Sequence, residues 1–289
     1  MSNKIVLKSI QDNSINYVHE PEGVDGYFES RFVQRTHDYF IVYLSSHSGC
    51  NQACRFCHLT QTKQTMMTPA SLSDYIVQAQ SVLNNVNFDE LEKQGLSKVK
   101  FSFMARGEPL LNPTILNEWN VLRKELKKLV PNSFDVEFCI STIFPKEFLS
   151  YKKPLATIFT TPDVTMYWSI YSVGDAFRKR WLRKALDIHT IKSMIEEYIQ
   201  TTGNKVKYHS AFIEGQNDTT GEVLALKDFL TTINQPYYRF NVVTYNPYSE
   251  DKSKESPHVY QIAKVLKAKS IKRVGFDVKA SCGMFYNQG

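Results

Sequence analysis

From residue 39 onward, short β-branched and aromatic runs alternate with segments of helical period, and this alternation constrains the fold more than any other feature. Residues 39–44, 99–104, 136–141, 166–170, 206–213, 238–245 and 274–278 read as strands. Helices are expected between them. One opens on the capping-box pattern Ser71-Leu72-Ser73-Asp74 and runs to Leu83, and another covers 115–129 until Pro131 stops it. Further helices cover 188–200, with Gly203 as C-cap, 223–233 and 258–267. Strands and helices alternating at this spacing build βαβ units and a parallel sheet. Six such units fall short of a closed eight-strand barrel. The predicted fold class is therefore α/β, a partial (β/α)6 barrel with its site at the carboxyl ends of the strands. Residues 1–38 do not fit the repeat and are expected to form a short N-terminal extended leader, with a hairpin around residues 27–33. Residues 39–289 read as a single partial-barrel domain, since no stretch is long enough to link a second one.

The 289 residues carry 35 Lys and Arg against 29 Asp and Glu, a net charge of +6 that permits a phosphate-rich partner without demanding one. No run approaches the roughly 18 apolar residues of a membrane helix. The start, Met1-Ser2-Asn3-Lys4-Ile5, lacks the apolar core of a signal peptide. A cytoplasmic monomer with no membrane partner is the expectation. Of the five cysteines, Cys50, Cys54 and Cys57 fall within eight residues, while Cys139 and Cys282 stand apart. An odd count without a secretory signal makes a poor disulfide framework, so the cluster reads as metal-binding or catalytic.

The spacing C-x3-C-x2-C directly follows the first strand of the repeat. Three thiolates on one tight loop suit three corners of a [4Fe–4S] cluster and leave its fourth iron free to bind something else. The competing reading is zinc held by the same cysteines with His58 or His47. Structural zinc usually divides its ligands between two distant knuckles, and His58 directly adjoins Cys57, which strains chelation.

C-x3-C-x2-C with Phe56 before the last cysteine resembles the radical S-adenosylmethionine (SAM) superfamily. Gly107-Glu108-Pro109-Leu110-Leu111-Asn112, at the end of the second strand, narrows this to the RNA adenosine methyl synthases of RlmN and Cfr type. Ser141-Thr142, Ser169-Ile170-Tyr171, Asn217-Asp218, Tyr245-Asn246-Pro247 and Ser281-Cys282-Gly283 follow in that family's order, so the resemblance covers roughly residues 29 to 287. It implies a [4Fe–4S] cluster and SAM as cofactors, with Cys50, Cys54 and Cys57 as cluster ligands. It also implies SAM contacts from Gly107, Glu108, Ser141, Ser169, Tyr171 and Asn246. The residue types suit those roles. Glu108 at a strand end can accept hydrogen bonds from the ammonium of SAM, and Gly107 lets the backbone approach closely. Small polar groups at strand ends suit ribose and carboxylate contacts.

The same resemblance makes Cys282 the catalytic carrier of a methyl group destined for an adenine ring. It makes Glu29 a proton acceptor, where an exposed strand Glu is the plain alternative. Reducing such a cluster calls for an electron donor such as flavodoxin or ferredoxin.

Three positions depart from the family pattern. Tyr43 stands seven residues before Cys50, where the family has a second catalytic cysteine. Tyr171 replaces a histidine. The short stretch before Glu29 stands where the family has an RNA-binding accessory domain. Cys139, two residues before Ser141 on a strand, should share its inward face and reads as a small buried core residue. Arg178-Lys179-Arg180-Trp181-Leu182-Arg183-Lys184 could grip phosphates and stack a base, or form a solvated face.

The first expectation is installation of a one-carbon unit on an adenine-type base through Cys282. The second is hydrogen abstraction by a deoxyadenosyl radical on a nucleotide, DNA base or peptide. The third is a non-catalytic iron–sulfur or nucleic-acid-binding module.

Overall fold

The computed structural model describes residues 3–235 and 239–288. Ten strands form one sheet in sequence order: β1 (Asn3–Lys8), β2 (Ile15–Glu20), β3 (Phe28–Gln34), β4 (Tyr39–Tyr43), β5 (Lys98–Phe103), β6 (Asp135–Thr142), β7 (Val164–Ser169), β8 (Lys205–Ser210), β9 (Arg239–Val243) and β10 (Lys269–Ile271). The seven strands β4 to β10 are parallel, whereas β1 to β4 pair antiparallel. The α/β partial barrel is thus present. No pairing between β10 and β1 occurs among the described residues.

The helices fall close to their expected places. α1 (His58–Gln61) follows the cysteine loop, then come α2 (Leu72–Leu83), α3 (Phe88–Lys93), α4 (Pro113–Lys128), α5 (Leu155–Ile158), α6 (Asp175–Trp181), α7 (Ile188–Thr202), α8 (Thr220–Thr231) and α9 (Val259–Val265). Ser71 and Asp74 form the anticipated reciprocal cap of α2. Gly203, at φ +70°, ends α7 in the left-handed conformation that glycine adopts without strain. No helix is long and apolar enough to cross a membrane.

Alternation along each strand explains both the core and the cavity. Phe40 and Val42, Val99, Phe101 and Phe103, Phe138 and Ile140, and Met166 and Trp168 are buried in the main hydrophobic core. The opposite faces carry Tyr39, Lys100, Cys139, Tyr167 and His209, which line a cavity inside the sheet. Parallel strands are usually apolar on both faces. A polar inner face marks this barrel as a container rather than a second core.

Two expectations change. The N-terminal stretch is more than a leader with one hairpin: β1 to β3 continue the same sheet, because β3 pairs along β4 from Arg31↔Tyr43 to Gln34↔Phe40. The last strand is β10 at Lys269–Ile271, not residues 274–278. Gly275 breaks the extended backbone there at φ +66°, and its N–H donates to Asp12 Oδ2 (2.8 Å). The segment's apolar side chains Val274 and Val278 are still buried. They pack where the chain after β10 returns onto the first hairpin, which Asp277 fastens by accepting from Ser9 Oγ (2.7 Å) and Ile10 N (2.9 Å). Of the expected strand 238–245, Tyr238 lies outside the described residues.

Candidate active site

The cavity measures about 380 Å³ and is lined by Cys50, Cys54, Cys57, Gly107, Glu108, Ser141, Ser169, Tyr171 and Cys282. Residues spread over more than 230 positions of sequence thus meet because they sit at strand ends or on the loops that follow them.

The cysteine loop leaves β4 and is tied in place by backbone bonds. Cys50 N donates to the Gln64 carbonyl (3.0 Å), Cys57 N to the Cys54 carbonyl (3.0 Å) and Arg55 N to the Trp181 carbonyl (3.0 Å). Gly49 is required here: a Cβ would stand 2.3 Å from the Met66 carbonyl oxygen. Cys54 is buried, and Cys50 and Cys57 are partly buried. Burial pushes all three thiols up, Cys57 to about 11. Thiols crowded in such a place ionise when a metal takes them as ligands. Among the described residues no three His, Cys, Asp or Glu side chains gather tightly enough to hold a single ion. His58 Nε2 contacts the Asn246 carbonyl (3.1 Å) and His47 Nδ1 contacts Ser46 Oγ (3.1 Å), so neither turns to the cysteines as zinc would require. Three thiols on one loop fit three irons of a cubane.

Gly107 has φ +92°, and a Cβ on it would collide with Ser46 Oγ at 2.5 Å and His47 N at 2.7 Å. Only glycine fits between the ends of β4 and β5. Glu108 then caps the following turn: Oε1 accepts from Leu110 N (3.1 Å) and Oε2 from Ile143 N (3.2 Å). Burial raises its carboxyl from 4.5 to about 7, against the Thr142, Leu110 and Ile143 hydrogen bonds. A carboxylate so placed is stabilised by an arriving ammonium group. Ser141 Oγ lies 3.4 Å from Ser169 Oγ, which lies 2.7 Å from His209 Nε2. Burial lowers His209 to about 4, so the ring is neutral at physiological pH. Tyr171, at φ +57°, stacks on Phe56 with ring centroids 4.1 Å apart.

Cys282 lies on the returning C-terminal segment. Its exposed surface faces into the cavity, where burial raises the thiol and Arg35 and Arg31 oppose that rise. Asn246 does not line the cavity. Its Nδ2 donates to the Cys282 carbonyl (2.9 Å), which ties it to the thiol loop. His58 N donates to the Gly283 carbonyl (2.9 Å), which ties the cysteine loop directly to the thiol loop. Asn217 is structural too: it donates to the Tyr171 and Ala211 carbonyls (2.9 and 3.0 Å).

Glu29 is neither exposed nor in the cavity wall. It is wholly buried and accepts from Asn16 Nδ2 (2.8 Å), Arg31 (3.0 Å), Arg106 (3.2 Å) and Tyr286 N (3.1 Å). With every lone pair engaged by a donor, it clamps the C-terminal segment onto the sheet, assisted by Arg31 donating to the Met284 carbonyl (2.9 Å). In the segment 178–184, Lys179, Arg180 and Arg183 are exposed, whereas Arg178 and Trp181 are not. Arg178 is buried and donates to the Ile170, Ser172 and Leu186 carbonyls. Trp181 stacks on Phe177 and donates to Gln216, leaving no face for a base.

Two cavity neighbours escape sequence reasoning. His209 betrays itself only through the polar alternation Lys205, Lys207, His209 on β8. Arg106, beside Gly107, carries no visible signal: it is fully buried, pairs with Glu29 and donates to Gln64.

The chain is a partial parallel barrel with three thiols after its first parallel strand and a carboxylate after the next. The solved radical SAM methyltransferase of Sphaerobacter thermophilus has this fold, with a TM-score of 0.75 at 15% identity over 98% of this chain and 80% of that one. No protein-family model matches the chain. Among curated proteins, the probable dual-specificity RNA methyltransferase RlmN of Natranaerobius thermophilus is 23% identical, covering 84% of this chain and 67% of its own length. That of Streptococcus agalactiae is 26% identical, covering 96% and 74%. In fold the chain is similar to a radical SAM methyltransferase, and in sequence it resembles RNA methyltransferases of the RlmN type.

Proposed function

We propose that this protein is a radical SAM methyltransferase that places a one-carbon unit on an adenine-type base, with Cys282 as the carrier. The observation that carries this reading is the meeting of the Cys282 thiol, the three ligand thiols and Glu108 in one cavity. When bound and reduced, the cluster would cleave SAM and supply a carbon-centred radical. The chain's own residues do the rest. Cys50, Cys54 and Cys57 hold the irons, and Glu108 receives the ammonium of SAM. Ser141 and Ser169 offer hydroxyls backed by neutral His209, and the Phe56–Tyr171 stack walls the site. Cys282 loses its proton and takes the methyl group of a first SAM, which leaves as S-adenosylhomocysteine. That methyl then gives a hydrogen to the deoxyadenosyl radical from a second SAM, which leaves as 5′-deoxyadenosine. The carbon bonds to the ring, and the carbon–sulfur bond to Cys282 breaks to release it. An electron-poor ring carbon resists polar methylation, which is why a radical route is needed. Glu29, Arg31 and Asn246 keep the thiol loop over the cavity.

The experiment follows isotopic label from the methyl group of SAM into adenine-containing RNA, with 5′-deoxyadenosine measured in parallel. Label transfer should vanish in Cys282→Ala. Full transfer in that variant would replace the carrier role with direct hydrogen abstraction, and absence of 5′-deoxyadenosine would leave only a binding protein.

A further inference from the structure

The lower half of the cavity, away from the cysteines, carries an excess of positive charge that the cluster and SAM contacts do not use. On the inner face, Lys100 Nζ lies 2.9 Å and Lys207 Nζ 3.9 Å from Glu137, so two ammonium groups share one carboxylate. Arg35 makes no ion pair among the described residues, and its buried Nε has no hydrogen-bond partner. The Thr36 hydroxyl beside it is buried next to the Asp38 carboxylate. Lys269 and Lys272 line the open edge. Lys100, Lys207 and the unpaired Arg35 thus stand against one carboxylate, Glu137, in this part of the cavity, with the exposed Lys269 and Lys272 at its rim.

Buried charges in such excess are costly unless an anion joins them. A forked guanidinium, a hydroxyl and ammonium point charges are the donor set that suits phosphate. Depth fits as well. Glu137 is four residues before Ser141 on β6, about 13 Å further down at the rise of a strand. A nucleoside phosphate spans such a depth with its base left near Cys282.

We propose that this lower half, between Arg35 and Thr36 after β3, Lys100 on β5 and Lys269 on β10, is a phosphate-binding subsite for the substrate. The substrate is then a nucleotide carrying a 5′-phosphate, either free or at the end of a strand. This rests on the adenine-base reading above, so the test includes a probe without a base.

Binding of adenosine, adenosine 5′-monophosphate, uridine 5′-monophosphate and inorganic pyrophosphate is measured by calorimetry on the anaerobic, reconstituted full chain and on Arg35→Gln/Lys269→Gln. The monophosphate should bind at least tenfold tighter than adenosine. The double variant should lose at least tenfold for the monophosphate and for pyrophosphate, while binding adenosine and SAM like wild type. Equal binding of adenosine and its monophosphate, or pyrophosphate binding unchanged in the variant, would overturn the subsite. Pyrophosphate binding lost in the variant, with adenine and uracil nucleotides bound alike, would keep the subsite and sink the adenine reading. A 5′-phosphorylated oligoadenylate that displaces the monophosphate, where its 5′-hydroxyl counterpart does not, assigns the phosphate to a strand end. Failure to displace assigns it to a free nucleotide.

Discussion

Glu108 gives SAM binding a pH signature that can be worked out from the structure. Burial moves its carboxyl from 4.5 to about 7 in the free protein. The unfolded chain releases this proton near 4.5 while the folded chain keeps it, so stability falls as pH rises through that window. The penalty amounts to about 3 kcal/mol at 1.36 kcal/mol per unit. An incoming ammonium reverses the balance because it favours the carboxylate. SAM affinity should therefore weaken as pH falls below 7, reaching about a tenfold loss at pH 6. Binding at pH 6 should release about one proton, which calorimetry in buffers of different ionisation enthalpy reads directly. Glu108→Gln keeps the shape and removes the charge. It should bind SAM about tenfold or more weakly at pH 8, as expected for losing a charge-assisted hydrogen bond of about 1.5–3 kcal/mol. Its affinity should no longer change between pH 6 and 8. A flat wild-type profile, or wild-type affinity in Glu108→Gln at pH 8, would refute the assignment of Glu108 to the ammonium.

Replacing Cys50, Cys54 or Cys57 by Ala should abolish the brown cluster absorbance after anaerobic reconstitution, with wild type holding about four irons; stoichiometric zinc without iron would contradict the ligand set. Glu29→Ala leaves two buried guanidiniums uncompensated and should cost about 3–5 kcal/mol in urea unfolding, and a loss under about 1 kcal/mol would show that the clamp is unimportant. Cys139 lines the cavity, but burial pushes its thiol to about 12. Cys139→Ser should therefore leave SAM cleavage unchanged. With Tyr43 where a second thiol would stand, wild type should accumulate a Cys282-linked adduct unless external thiol is supplied. Efficient turnover without added thiol, lost in Cys139→Ser, would make Cys139 the missing partner.

The repeat was legible wherever one strand face packs on helices, because β-branched and aromatic residues then recur at every second position from Phe40 to Trp168. Residues 274–278 show the limit of that signal. Val274 and Val278 are apolar because they are buried under the first hairpin, and no periodicity distinguishes that burial from a ladder. The cysteine triplet and Gly107-Glu108 were readable because their chemistry is local in sequence. The bond from Asn246 to the Cys282 carbonyl was not legible, because it depends on where a segment 36 residues later returns. Glu29 and Arg106 are 77 residues apart, and nothing in either neighbourhood announces the pair. The segment 178–184 reads as a charged grip because sequence counts cations without showing that backbone carbonyls surround Arg178.

Peptide mass spectrometry of the reconstituted protein after incubation with SAM and reductant tests the central claim most directly. A one-methyl mass increment on the peptide bearing Cys282, absent from Cys139 and absent when Glu108 is replaced by Gln at low SAM, is the predicted result. An unmodified Cys282 in a preparation that cleaves SAM to 5′-deoxyadenosine would contradict the carrier role outright.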